Sequence, residues 1–371
     1  MIWDAGELEK KLTELGEGDS PERVDLLIEL ARAVYIEDQD KARTACGDAL
    51  EMARRLDYEK GVAHSLSLKG FGEYLRSDLD QAMATLLKAE QLMKAQEDEH
   101  GRGLVLGIMS GIHLSLGDYE KALACSFEAL RIHRRCGDRL DEGWLLHAIG
   151  GCYQEMGDYP RALQYHQETL KVMDELDLDV GRARAYTGMG TVHQSLGDNE
   201  KALEYHRRSL DLFRRLNNGF GESRALNDIG VILQETGQFE ESRKHHLRAL
   251  ELREKFGNKQ AVSTSLINLG KLLVDEGKPE EALDVVLRAL DIAEEIKAKP
   301  RAFQAHMVLS EICYDMKDPG AALVHYKIYQ QIKEEVVGDQ AKTRLKNLEL
   351  SFEMEKADQE AEISRLKNVE L

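Results

Sequence analysis

The sequence predicts an all-α protein, a solenoid of about eight helical hairpins followed by one long charged helix. Three observations predict it. Most of the chain repeats itself every 40 residues. Only 5 of its 371 residues are proline, while helix formers (Ala, Leu, Glu, Lys, Arg) dominate. From about residue 336 the period stops and the pattern turns long and charged, with Gly338 its one glycine.

The first element is a short helix over about residues 4–16 that caps the array, so residues 1–19 form an N-terminal cap. Residues 20–335 form the solenoid, with hairpins beginning near 20, 60, 100, 140, 180, 220, 260 and 300. Four columns hold phase across them. Gly70, Gly150, Gly190, Gly230 and Gly270, with Ser110 and Ser310, mark where two helices cross so closely that only a small residue fits. Gly117, Gly157, Gly197, Gly237 and Gly277 end the first helix of each hairpin in a left-handed conformation, and Asp118 or Asp158 caps the next. Pro160, Pro279 and Pro319 sit at or near that second helix's first turn, where a missing N–H costs nothing. Ala42, Ala82, Ala122, Ala162, Ala202, Ala282 and Ala322 (Ser242 interrupts) pack against the partner helix, and Leu50, Leu130, Leu170, Leu210, Leu250 and Leu290 lie buried two turns further on.

These columns resemble the tetratricopeptide repeat. Leu146, Gly150, Tyr153, Gly157, Tyr159 and Ala162 occupy its signature slots in order, as do Tyr186, Gly190, Gly197 and Ala202. The usual repeat is about 34 residues. The longer form here is similar to a class found in spindle-orientation adaptors, bacterial peptide-sensing regulators and bacterial signalling sensors. The resemblance implies a right-handed superhelix whose first helices line an inner groove, and a protein or peptide ligand in that groove.

On the first helices, positions three or four residues apart form one stripe. The groove-lining candidates are Trp144, His147, Gln154, Arg184, Thr187, Gln194, Arg224, Asn227, Gln234 and Lys271. A glutamine offers both donor and acceptor to an extended peptide backbone, and an arginine clamps a carboxylate through two N–H groups.

Residues 336–371 read as a coiled-coil-like signalling helix. A heptad frame puts Leu345, Phe352, Gln359 and Leu366 at a, and Leu348, Glu355, Glu362 and Val369 at d. The apolar members Leu345, Leu348, Phe352, Leu366 and Val369 give a weak homodimer seam, broken by two glutamates. The segment resembles the helix joining repeats to an output domain in bacterial sensors, where a diguanylate cyclase, histidine kinase or cyclic-nucleotide enzyme follows. That resemblance implies the sensory half of a longer, truncated protein. The competing readings are a free-standing adaptor, and a tail that folds back to block its own groove.

Other signals read blandly. A net charge of −18 argues against nucleic-acid and membrane partners, since the basic clusters at Arg131–Arg135 and Arg243–His246 are flanked by acids. Five scattered cysteines without a C-x-x-C, and no signal-like start, point to a reducing, cytoplasmic setting. His166, His206 and His246 recur at the repeat period, and Cys152 has no His and acid at a spacing diagnostic of a nucleophile. Packing explains the histidines better than a metal, because neighbouring layers stand about 10 Å apart. No cofactor, metal or catalytic constellation is expected.

Overall fold

The computed structural model describes residues 5–35 and 38–369, with side chains placed as far as Asn347 apart from Gln340. All regular structure among these residues is helical. α1 (Ala5–Leu15) precedes eight hairpins: α2 (Pro21–Val34) with α3 (Gln39–Arg55), α4 (Glu59–Leu75) with α5 (Leu79–Ala95), α6 (Glu99–Ser115) with α7 (Tyr119–Cys136), and α8 (Arg139–Glu155) with α9 (Tyr159–Glu175). They continue with α10 (Asp179–Ser195) and α11 (Asn199–Arg215), α12 (Gly219–Glu235) and α13 (Phe239–Lys255), α14 (Lys259–Asp275) and α15 (Pro279–Glu295), and α16 (Lys299–Asp315) with α17 (Pro319–Val369). The chain divides into two compact units, residues 1–145 with 341–371 (unit 1) and residues 146–340 (unit 2).

The turns form as the glycine column requires. Gly117 and Gly157 adopt φ of 70° and 78°. Gly117 N–H donates to Leu114 O at 3.0 Å and Asp118 N–H to His113 O at 2.8 Å, the paired bonds that close a helix C-terminus. Asp158 and Asp198 then accept from the backbone N–H of Arg161 and Lys201 to start α9 and α11.

The close-crossing column explains the recurring histidines. A methyl placed on Gly150, Gly190 or Gly230 would lie 2.7 to 2.8 Å from the ring of His166, His206 or His246 respectively. Those three rings are essentially inaccessible to water. Burial pushes the His166 and His246 pKa down to about 4 and lowers that of His206. They therefore pack as neutral aromatic plates.

Apolar layers between successive helices fill each unit. In unit 1, Leu8, Val24, Ile28 and Ala49 bury against one another, and Met83, Leu86, Val105 and Ile112 form the next layer. In unit 2, Leu226, Ile229 and Phe213 make one cluster and Leu266, Leu272, Val286 and Leu309 another.

The tail differs from the expected domain limits in one respect. No break falls at residues 335–336, because α17 runs unbroken as the eighth hairpin's second helix and as the tail. Within unit 1 its Ala341–Asn347 stretch lies against earlier turns: Arg344 Nε is 3.3 Å from Asp118 Oδ2, Lys346 Nζ is 2.7 Å from Asp80 Oδ2, and Asn347 is buried. Leu345 is 58% exposed, while the seam residues Leu348, Phe352, Leu366 and Val369 have side chains outside the described residues.

Candidate functional site

The first helices of the unit 2 hairpins carry nearly all of the predicted stripe, and the structure sorts its members. Trp144 belongs to unit 1, whereas His147 begins the stripe in unit 2. His147 is half-buried, its ring centroid 5.1 Å from that of His166. Burial first, then the neighbouring His166 imidazole and the positive charges of Arg184 and Arg224, push its pKa down to about 3. It thus offers a neutral imidazole beside two guanidinium groups.

Two candidates face inward and are corrections to the expected exposure. Thr187 is buried, its hydroxyl donating to Ala183 O at 3.0 Å and lying 2.8 Å from Ser209 Oγ on α11. Asn227 is buried and accepts from Asn268 Nδ2 at 2.9 Å on α14. Both positions lie off the stripe's centre, toward a neighbouring helix, and spend their polarity on packing. The glutamine column is half-occupied as well. Gln194 Nε2 donates to Glu235 Oε1 at 3.2 Å and Gln234 Nε2 to Asp275 Oδ2 at 2.6 Å, each bracing the next first helix. Gln154 is half-buried, and Lys271 is exposed, its charge drawing down a Glu311 pKa that burial raises.

The structure brings the predicted arginines together with two more. Burial lowers the Arg184 pKa, and the like charge of Arg224 lowers it further. Arg224 is exposed, with Nε 4.0 Å from Asp228 Oδ2. Arg253, at the end of α13, is brought down to about 10, chiefly by burial; Arg224 and Arg301 add to this and Asp228 opposes it. Arg253 Nη1 donates to Ala261 O at 3.1 Å and to Ser265 Oγ at 2.7 Å, while Arg301 Nη1 donates to Gln304 Oε1 at 2.8 Å. The Nε–H groups of both Arg253 and Arg301 are sheltered from water and meet no acceptor. Arg224 thus stands within electrostatic reach of both Arg184 and Arg253, and Arg301 of Arg253, inside a chain of net charge −18.

The same stripe ends in an open cleft of about 540 Å³ lined by Val274, Glu311, Tyr314, Pro319, Leu323 and Tyr326 among others. Val274 and Tyr314 continue the column of Gln154, Gln194 and Gln234, so the lining changes from amide to apolar and then aromatic over the last two hairpins. Tyr314 and Leu323 are both well exposed, which leaves an apolar floor for a side chain.

Arg253 and Arg301 escape a reading by stripe because both occupy inter-repeat packing columns. One column runs Ala53, Met93, His133, Met173, Phe213, Arg253, Ala293, and the other Gly61, Gly101, Asp141, Gly181, Gly221, Ala261, Arg301. A charged residue in a column of apolar or minimal ones was the available signal.

The molecule is thus a solenoid of helical hairpins with a polar, locally cationic inner stripe. The tetratricopeptide repeat profile matches residues 101–175, 181–255 and 221–295, and the chain belongs to that family. No curated protein matches it in sequence. Among solved structures it is similar to a Rap protein complexed with Competence and Sporulation Factor, at 16% identity and TM-score 0.66 over 91% of this chain and 92% of that one. A second is the Rap conjugation gene regulator of plasmid pLS20 in complex with the Phr* peptide, with 19% identity and TM-score 0.64 over 90% and 91%. A third is a signal-transduction ATPase of the STAND type with a tetratricopeptide repeat sensor, from Pyrococcus horikoshii. There the identity is 15% and the TM-score 0.60 over 96% of this chain and 56% of that one. At these identities the likeness is one of fold.

Proposed function

We propose that the chain is a peptide- or protein-binding regulator whose ligand lies along the first-helix stripe of unit 2. Arg184, Arg224, Arg253 and Arg301 take an acidic side chain or a terminal carboxylate, and the Val274–Tyr314–Tyr326 cleft takes an apolar residue. The observation that carries this reading is the pair of sheltered Nε–H groups on Arg253 and Arg301, beside two further guanidiniums. A buried donor without an acceptor costs about 1–3 kcal/mol, and an anionic ligand repays it. The complexes of the two similar Rap structures, one with Competence and Sporulation Factor and one with the Phr* peptide, support the same reading.

In this proposal the chain binds and does not catalyse. Gln194 and Gln234 keep their carbonyl oxygens for a peptide N–H while their amides brace the solenoid. The tail is the transmitting part: Arg344 and Lys346 hold it to unit 1, and exposed Leu345 faces a second copy or a following output domain, as a sensor needs. The alternative is a free-standing adaptor; the tail's ion pairs to Asp118 and Asp80 favour a tail that is held and released. A random peptide library with free C-termini, selected on the full chain, tests the binding claim. The selected peptides should combine Asp, Glu or a terminal carboxylate with an aromatic or aliphatic residue, and should bind more weakly as salt rises. Selection of basic peptides, or affinity indifferent to salt, would contradict it.

A further inference from the structure

One junction in unit 1 breaks the repeat in a coordinated way. At the corresponding place in other repeats a large apolar side chain plugs the space beside a glycine: Met93 beside Gly101, Met173 beside Gly181, Phe213 beside Gly221. Here the plug is His133 and the glycine is Asp141. Gly103 on α6 gives the imidazole its room, since a methyl there would overlap the ring. Two changes at facing positions, each costly alone in a packed interior, make sense together.

His133 is 1% exposed, and its Nδ1 makes no hydrogen bond. That nitrogen points at two carboxylates, 3.5 Å from Asp138 Oδ2 and 4.0 Å from Asp141 Oδ2. His100 on α6 closes the group, its Nε2 2.9 Å from Asp138 Oδ2 and its ring edge-on to His133 at 5.4 Å. One ligand atom from each of the four residues falls within 4.8 Å of all the others. The neighbouring guanidiniums have partners of their own: Arg134 and Arg139 reach Glu142, and Arg135 reaches Glu99. Asp138 and Asp141 are both half-buried, so two acids stand close together in a half-sheltered place.

We infer that His100, His133, Asp138 and Asp141 form a site for a first-row divalent cation, zinc foremost, that ties α6, α7 and the start of α8 together within unit 1. Two imidazoles and two carboxylates are a donor set zinc accepts in tetrahedral form. At zinc's bond lengths the ligand atoms of a tetrahedron stand about 3.3 Å apart. The group is therefore nearly assembled, and small rotations of exposed His100 and half-exposed Asp141 complete it. A bound cation gives the buried His133 nitrogen the partner it lacks.

The test is a titration of the full chain, purified with chelator, with Zn²⁺ and with Co²⁺. One equivalent should bind, Co²⁺ should develop the visible bands of a four-coordinate site, and Zn²⁺ should displace it and raise Tm with the logarithm of its free concentration. The double variant His133→Met with Asp141→Gly restores what the sibling junctions contain, so it should fold, and it should lose binding. His100→Ala should weaken Zn²⁺ by at least the roughly tenfold that an outer-shell partner is worth. Exposed Cys136 lies one helical turn from His133, and Cys136→Ser should leave binding intact. No saturable site, equal binding by the double variant, or loss of binding in Cys136→Ser alone would each overturn the assignment.

Discussion

Two junctions between hairpins occupy equivalent places in the repeat and are built in opposite ways. Between α9 and α10, Met173 fills the gap beside Gly181, and the pair is apolar and closed. Between α7 and α8, His133 and Asp141 take those two positions and gather His100 and Asp138 around them. The scaffold tolerates either, because the turn and the close-crossing glycines that set the hairpin geometry lie elsewhere. In a repeat protein the columns that agree carry the fold, and a column that departs in a facing pair carries something local. Arg253 and Arg301 depart from the same two columns in unit 2 singly, Arg253 opposite Ala261 and Arg301 opposite Ala293.

Acid gives the largest effect and separates the regions. His166, His206 and His246 pack neutral on glycine in unit 2, and unfolding frees each to take a proton near its ordinary pKa of 6.5. The unfolded state then binds more protons, so stability is full above about pH 6.5 and falls as pH drops toward about 4. His166 and His246 each cost up to about 3 kcal/mol across that window, and His206 acts in the same direction. Denaturant unfolding followed against pH should show it, and replacing all three by Leu, the residue at position 86 of the same column, should flatten the curve.

Steric tests of the junctions come next. Gly221→Val would drive a side chain into the Phe213 ring and should destabilise unit 2 by about 3 kcal/mol, read from the denaturant midpoint. Gly151→Ala, with nothing within 4 Å of the new methyl, should instead stabilise by about 0.5 kcal/mol. Between these two in size, and opposite in sign to an ordinary core substitution, is the metal-free effect of His133→Met with Asp141→Gly. An apolar plug replaces a crowded acid pair and a buried unbonded nitrogen, so the metal-free variant should gain about 1 kcal/mol over the metal-free parent. A loss of that size would mean the polar junction is itself a stabilising network.

The repeat was legible in the sequence because its columns answer to backbone and packing demands that admit few residues: a left-handed turn at Gly157, a contact between Gly190 and His206 that leaves no room for a methyl. The eight hairpins and the packing role of the histidines followed directly. The stripe was legible only in part. Periodicity gives the face of a helix but not its neighbours, so Thr187 and Asn227 read as exposed while Ser209 and Asn268 claim them. Arg253 and Arg301 were hidden for the opposite reason, since they project from packing columns. The His133 cluster needed three helices to meet, and its residues are spread over Asp141 back to His100 with no spacing that marks them.

The central claim, that unit 2 presents an anion-seeking peptide stripe, is tested most directly by one comparison of affinities. A peptide selected from the free-carboxylate library would be titrated by calorimetry against the parent chain, Arg184→Ala with Arg224→Ala, and Thr187→Val. The account predicts a loss of about tenfold or more in the arginine variant, as for charge-assisted pairs worth at least about 1.4 kcal/mol, and no change in Thr187→Val. Equal affinity in all three would contradict it.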